Sequence, residues 1–106
     1  MPLTQDYKEG LLELLAARPA FAAALLREGV DAFLSGELEV GKDILRDYVN
    51  ATMGFETLSK ETGIPPKSLM RMLGPAGNPR ADNLFVVVSF LQRREGVSFR
   101  LRAASR

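Results

Sequence analysis

Residues 61–79, ETGIPPKSLMRMLGPAGNP, place one short helix-forming run between two groups of helix-breaking residues. Pro65 and Pro66 stand before the run, and Gly74 and Pro75 follow it. A helix this short is marginal in water, so it must be stabilised by packing against the rest of the chain. Pro65 ends any preceding helix, Pro66 suits the first helical position, and Gly74 is expected to close the helix in a left-handed conformation. The sequence therefore predicts a short helix with fixed ends.

The rest of the chain is dominated by the spacing of amphipathic helices. Apolar residues recur three and four positions apart in three segments before residue 54, and again in residues 80–96. In the third of these segments, Val40, Ile44 and Tyr48 fall on one side. Gly29 lies inside the second segment and leaves a break in that helix open. Together these patterns predict an all-α domain.

Residues 97–102, VSFRLR, alternate between apolar and polar side chains. Val97, Phe99 and Leu101 would face one way, which is the pattern of a short β-strand with one buried face. An unpaired strand edge is a liability, and no second strand is predicted in the chain. Pairing with the same strand of a second copy would solve this and would make a homodimer. The N-terminal helices are the alternative dimer surface, and the strand could instead lie against its own bundle.

The composition excludes several classes of function. The 106 residues suffice for one domain, and they include no cysteine and no histidine. Disulfides and Cys/His zinc sites are therefore excluded, and the commonest general base is absent. The acidic residues are spread along helical faces, so we expect neither enzymatic activity nor a cofactor. No segment has the length of a membrane span and no export signal precedes the first helix, so we expect a cytoplasmic location.

Charge is distributed unevenly along the chain. Residues 1–53 contain five Lys/Arg and nine Asp/Glu, a balance of −4. Residues 54–106 contain nine Lys/Arg and four Asp/Glu, a balance of +5. A basic second half suggests that this half of the chain meets a polyanion.

The residues around Gly63 follow the pattern of a helix-turn-helix, in which two short helices meet through a tight turn. Leu58 and Ser59 supply an apolar and a small residue where the helices cross, and Gly63 suits a left-handed turn. Ile64 would then fill the core beside the turn. A plain helical hairpin with a glycine turn is the alternative. We predict that the turn and core of the motif comprise Leu58, Ser59, Gly63, Ile64, Pro65, Pro66, Leu69 and Met72.

The second helix of this pair would leave Lys67, Ser68, Met70 and Arg71 free of the core. Lys67 and Arg71 are four residues apart, so they project from the same side of a helix. A second helix that presents two cations is suited to the major groove of DNA.

The segment from GFETLSKETG to GVSFRL resembles the addiction-module antidote proteins, the HigA-like antitoxins and the transcriptional regulators related to them. LSKETG, KSLMRML, GNP and GVSFRL match that family's pattern in order and spacing, and the resemblance covers residues 37–102. It implies an all-α, repressor-like helix-turn-helix bundle, here with extra N-terminal helices and a short C-terminal strand. It also implies a homodimer that binds double-stranded DNA at a palindromic operator and represses its own operon. A small ribonuclease toxin is a further partner in such families.

The resemblance also implies roles for individual residues. Carried over by position, Lys67, Ser68 and Arg71 would face base edges or phosphates, with Arg71 making a bidentate contact to guanine. Met70 would face outward and contact a thymine methyl group. Phosphates of the DNA backbone would be held by Thr57, Lys60, Asn78 and Arg80.

The chain departs from the family's pattern at four places. Thr57 stands for a glutamine, Arg80 stands for a capping serine or threonine, and Met70 stands at an outward position where a polar or aromatic residue is expected. The first 36 residues are longer and more apolar than the lead-in of minimal antidotes. We divide the chain into an N-terminal helical extension (1–36), a DNA-binding domain (37–96) and a C-terminal strand and tail (97–106), within one compact domain. The alternative function is a protein–protein interaction module that neutralises a small ribonuclease toxin, with weak or vestigial DNA binding.

Overall fold

The structure is a computed structural model that describes residues 5–104, and six α-helices lie in that range. In chain order they are α1 (Gln5–Ala17), α2 (Pro19–Leu34), α3 (Leu38–Ala51), α4 (Gly54–Thr62), α5 (Pro66–Met72) and α6 (Ala81–Glu95). No strand occurs within residues 5–104, so the prediction of an all-α architecture is confirmed for this part of the chain. None of the helices described is both long enough and apolar enough to cross a lipid bilayer.

Helices α2 and α3 form a closely packed hairpin around two glycines. A Cβ atom added to Gly29 would lie 3.2 Å from the side chains of Ile44 and Leu45, and one added to Gly41 would lie 2.6 Å from the ring of Phe33. α2 is continuous through Gly29, so the break that this glycine left open does not occur. The glycine is instead explained by the close approach of α3, which no local pattern in the sequence reveals.

One hydrophobic core joins this hairpin to the last three helices. Leu26 of α2 and Leu45 of α3 have no exposed surface, and they belong to the same cluster as the buried residues of α4, α5 and α6. The buried members from those three helices and the residue after α5 are Phe55, Leu58, Leu69, Met72, Leu73, Val87, Val88 and Leu91. The short helix α5 therefore shares one core with α3, α4 and α6, which supplies the tertiary packing that its length requires.

The segment that follows α6 has no regular secondary structure through residue 104. Val97 and Phe99 are half-buried, and the Phe99 N–H donates to the Gln92 Oε1 at 2.8 Å. Leu101 is 84% exposed. The predicted C-terminal strand is therefore not formed in the single chain, because a strand needs a second backbone to pair with and residues 5–104 supply none. The beginning of the segment instead lies against its own bundle.

Candidate nucleic-acid interface

Helices α4 and α5 are joined by a three-residue turn, residues 63–65. Gly63 has φ 77°, in the left-handed region that favours glycine, and its N–H donates to the Ser59 carbonyl at 2.8 Å. Pro65 is extended, with ψ 145°, and Pro66 is the first residue of α5. These are the positions that the sequence predicts for the turn. They fix the direction in which α5 leaves α4.

The two sides of α5 differ in exposure. Leu69 is fully buried and Met72 is 7% exposed, while Lys67, Met70 and Arg71 are exposed and Ser68 is half-buried. Among the other predicted core residues, Leu58 of α4 is fully buried, and Ser59 of α4 and Ile64 of the turn are partly buried. The predicted phosphate contacts on α4, Thr57 and Lys60, are exposed.

A cleft of about 220 Å³ brings α5 together with the loop that follows it. It is lined by Ser68 and Arg71 of α5, by Asn78 and Arg80 of the loop, and by Asn83 in the first turn of α6, among others. Four of the predicted contacts, Ser68, Arg71, Asn78 and Arg80, therefore lie together at one site. Asn83 was missed by the sequence analysis, and its position three residues after Arg80 is the signal that could have indicated it.

Three of the cations predicted to contact DNA are free to meet a ligand. Among residues 5–104, Lys60, Lys67 and Arg71 have no carboxylate within ion-pair distance. Arg80 pairs with Asp82 at 3.2 Å, but both side chains are largely exposed, so the pair is weak and exchangeable. The surface thus presents positive charge together with amide and hydroxyl groups, which are the groups that bind phosphate and base edges.

The end of α5 differs from the prediction made for Gly74. Gly74 is not left-handed; among the residues described, positive φ occurs only at Gly36, Gly54, Gly63 and Gly96. The helix ends instead in tight turns, in which the Gly74 N–H donates to the Arg71 carbonyl at 3.1 Å. The loop then returns so closely that a Cβ on Gly77 would lie 1.7 Å from the same carbonyl oxygen. Close backbone approach, rather than a left-handed cap, is therefore what requires glycine here.

Two cations of α3 hold the end of α5 and its loop. Arg46 donates to the Leu73 carbonyl at 2.7 Å, and Lys42, which is 1% exposed, donates to the Gly77 carbonyl at 2.7 Å. Cations at the carboxyl end of a helix satisfy its last carbonyl groups and its dipole. Each cation is in turn fixed by an acid three residues earlier: Asp43 lies 2.5 Å from Arg46, and Glu39 lies 2.9 Å from Lys42.

A second polar contact joins α3 to the end of α6. The Tyr48 hydroxyl donates to the Glu95 carboxylate, and Arg94 donates to both, at 3.2 Å to the hydroxyl and 2.6 Å to the carboxylate. Burial, with the adjacent Glu95 carboxylate, raises the pKa of Tyr48 well above its ordinary value. α3 therefore positions both α5 with its loop and the end of α6, and the sequence analysis did not assign it this role.

No family model, curated protein or solved structure matches the chain. No cluster of three or more potential metal ligands occurs among the side chains that the structure describes.

Proposed function

We propose that the protein is a sequence-specific DNA-binding transcriptional regulator of the antitoxin type, which acts as a homodimer on a palindromic operator. The observation that best supports this is the arrangement of α5. Its apolar side is buried, and its outer side presents unpaired Lys67 and Arg71 beside a cleft that also contains Asn78 and Arg80. A helix of this kind is suited to reading base edges in the major groove.

The proposed contacts divide into those that read sequence and those that position the protein. The Arg71 guanidinium can donate two hydrogen bonds to the O6 and N7 atoms of a guanine, and the exposed thioether of Met70 suits a thymine methyl group. Lys67 and Ser68 extend this reading surface along α5. Phosphates on the two sides of α5 would be held by Thr57 and Lys60 from α4, and by Asn78, Arg80 and Asn83 from the loop and α6.

In this proposal Arg80 exchanges the Asp82 carboxylate for a DNA phosphate. Their exposed ion pair is worth little in water, so a DNA phosphate can replace the Asp82 carboxylate at small cost. The contacts from Arg46 and Lys42 hold the loop in place before DNA arrives. This reduces the ordering cost of binding.

A homodimer would place two copies of α5 symmetrically on the operator. Leu101 is exposed, and residues 100–104 make no backbone hydrogen bond with residues 5–104, which leaves an edge available to a second copy. Val97 and Phe99 already lie half-buried against their own chain. Pairing across a two-fold axis would therefore rest chiefly on Leu101 and on backbone hydrogen bonds.

Fluorescence anisotropy tests the proposal directly. The full chain is titrated with labelled DNA from upstream of its own gene and with scrambled DNA of equal length, at two salt concentrations. We expect preference for the upstream DNA and an inverse salt dependence of about 0.9 logarithmic units per phosphate contact. Arg71→Ala should remove the preference, and Arg27→Ala, an exposed arginine of α2, is the matched control that should not. Equal binding of both DNAs by the unmodified protein would contradict the proposal.

The alternative function, neutralisation of a small ribonuclease toxin, is favoured by one specific observation. The α2–α3 hairpin exposes large apolar side chains, with Leu34 63% and Val40 46% exposed. Exposed apolar side chains of this size are typical of interaction surfaces. Co-expression with a toxin-like neighbouring gene, scored by growth and by copurification, tests this function separately from DNA binding.

A further inference from the structure

A second cleft is built entirely from the α2–α3 hairpin. It has a volume of about 250 Å³, and its apolar side chains include Val40 and Ile44 of α3. Three exposed carboxylates border it: Glu28 and Asp31 from α2 and Glu37 from the turn. The cleft shares no residue with α4, α5 or α6, so it is distinct from the surface proposed for DNA.

These three carboxylates lack the ion pairs that several other acids of the molecule make. Glu28, Asp31 and Glu37 have no Lys or Arg within ion-pair distance among residues 5–104. Four other acids in the same range, Glu39, Asp43, Asp82 and Glu95, each pair with a cation close by in sequence. The cleft therefore carries uncompensated negative charge around an apolar centre.

The hairpin gives this cleft a fixed shape. α2 and α3 approach closely at Gly29 and Gly41, where an added Cβ atom would lie 3.2 Å and 2.6 Å, respectively, from side chains of the facing helix. A cleft that is already formed loses little conformational entropy when a ligand enters it. Leu34 and Leu38, at the end of α2 and the start of α3, are also exposed and extend the apolar surface toward the turn.

We propose that this cleft binds a positively charged amphipathic segment of a second protein. An apolar side chain of that segment packs on Val40 and Ile44, and its Lys or Arg residues pair with Glu28, Asp31 and Glu37. Charge complementarity selects such a partner and speeds its encounter. A second copy of this chain fits less well, because its exposed cations on α4 and α5 are those proposed to hold DNA. The inference goes beyond DNA recognition, and only the preference for a second protein over a second copy rests on the proposed function.

Three synthetic peptides of equal length test the chemistry of the partner. One is an amphipathic Leu/Lys helix, the second replaces Lys by Glu, and the third replaces Leu by Ser. Each is titrated into the full ¹⁵N-labelled protein and followed by NMR and by calorimetry. We expect saturable binding of the Leu/Lys peptide alone, with chemical-shift changes at residues 28–44.

Variants of the protein locate the site. The double charge reversal Glu28→Lys with Asp31→Lys should weaken binding of the Leu/Lys peptide by about tenfold or more at low salt. Val40→Ser should also weaken it. The matched control is Glu56→Lys, an exposed acid of α4, which should bind the peptide as the unmodified protein does. All of these positions are at the surface, and circular dichroism confirms that each variant is folded.

Four outcomes would overturn the inference. These are absence of binding, equal binding of the Ser/Lys peptide, shift changes outside the hairpin, and self-association of the protein that Val40→Ser abolishes. The double charge reversal should leave binding to upstream DNA intact. A failure of the cleft proposal is therefore distinguishable from a failure of the DNA proposal.

Discussion

The α2–α3 hairpin and the short helix α5 are stabilised in different ways. The hairpin consists of helices of 16 and 14 residues that pack closely at two glycines. α5 has only seven residues. Its stability depends on the buried side chain of Leu69 and on two cations of α3: Arg46 binds the end of α5, and Lys42 binds the loop that follows. A helix as short as α5 must therefore be stabilised by residues from elsewhere in the chain.

The surfaces of these two regions differ as well. The hairpin exposes unpaired carboxylates around apolar side chains, whereas α5 and its surroundings expose unpaired cations with amides. This difference corresponds to the charge balance of −4 in residues 1–53 and +5 in residues 54–106. Two surfaces of opposite charge in one small domain are suited to two chemically different partners.

The largest effect is expected from removing the support beneath α5. Leu69→Ala should lower the free energy of unfolding by about 2–5 kcal/mol, because it leaves a cavity under a helix with no other core leucine of its own. Leu34→Ala on the hairpin, where the side chain is 63% exposed, should change it by less than about 0.5 kcal/mol. Urea denaturation of both variants measures the difference. Equal losses would show that α5 does not depend on this contact.

Substituting one glycine in the hairpin and one in the loop after α5 should destabilise the protein to different extents. Gly77→Ala should destabilise the protein by about 1–3 kcal/mol, because the new methyl group meets a backbone carbonyl that cannot move aside. Gly29→Ala meets only side-chain atoms at 3.2 Å, and alanine is the better helix former, so its effect should be smaller. Thermal denaturation compares the two. A larger loss at Gly29 would contradict the close approach of the loop to α5.

Removing the buried cation should affect both stability and DNA binding. Lys42→Met keeps the aliphatic stem but leaves the Gly77 carbonyl without its partner, at a cost of about 1–3 kcal/mol. Because the loop carries Asn78 and Arg80, we also expect weaker binding of upstream DNA. Lys60→Met is the control: it should leave stability unchanged and reduce the salt slope of binding by about 1. Unaltered stability of Lys42→Met would refute the anchoring role of α3.

The smallest effect concerns the Tyr48–Glu95 contact and depends on pH. The raised pKa of Tyr48 means that the fold favours its neutral phenol. The stability that this contributes is complete below the ordinary value of 10.0 and is lost as the pH rises above it. Tyr48→Phe should lower the free energy of unfolding by about 1 kcal/mol at neutral pH. Because phenylalanine cannot ionise, the variant should then lose less stability than the unmodified protein as the pH rises. Unfolding measured at pH 8 and pH 11 checks this, and equal alkaline losses in both proteins would contradict it.

Sequence reasoning succeeded where the constraint is local. The spacing of apolar residues predicted the helices, and Gly63, Pro65 and Pro66 predicted the turn before α5, because helix capping and proline geometry act over a few residues. The burial of Leu58, Leu69 and Met72 was expected from the same spacing. These features need no information about the rest of the chain.

Most errors occurred where residues distant in sequence meet. Lys42 and Gly77 are 35 positions apart, and no pattern in the sequence links them. Gly29 was treated as a weak point of a helix, whereas it lies against Ile44 and Leu45 of α3. Gly74 is a local exception, because α5 ends in tight turns without a left-handed residue at that position. The strand predicted for residues 97–102 is not formed within residues 5–104, and its pairing with a second copy stays a prediction.

If the proposed function is right, DNA binds at α5 and its loop and not at the hairpin. The most direct test is to titrate the full ¹⁵N-labelled protein with a duplex of the DNA upstream of its gene and to map the chemical-shift changes. We predict changes at residues 57–60, 67–71 and 78–83, and none at residues 28–44. Changes confined to the hairpin, or an unchanged signal from Arg71 at saturating DNA, would contradict this account.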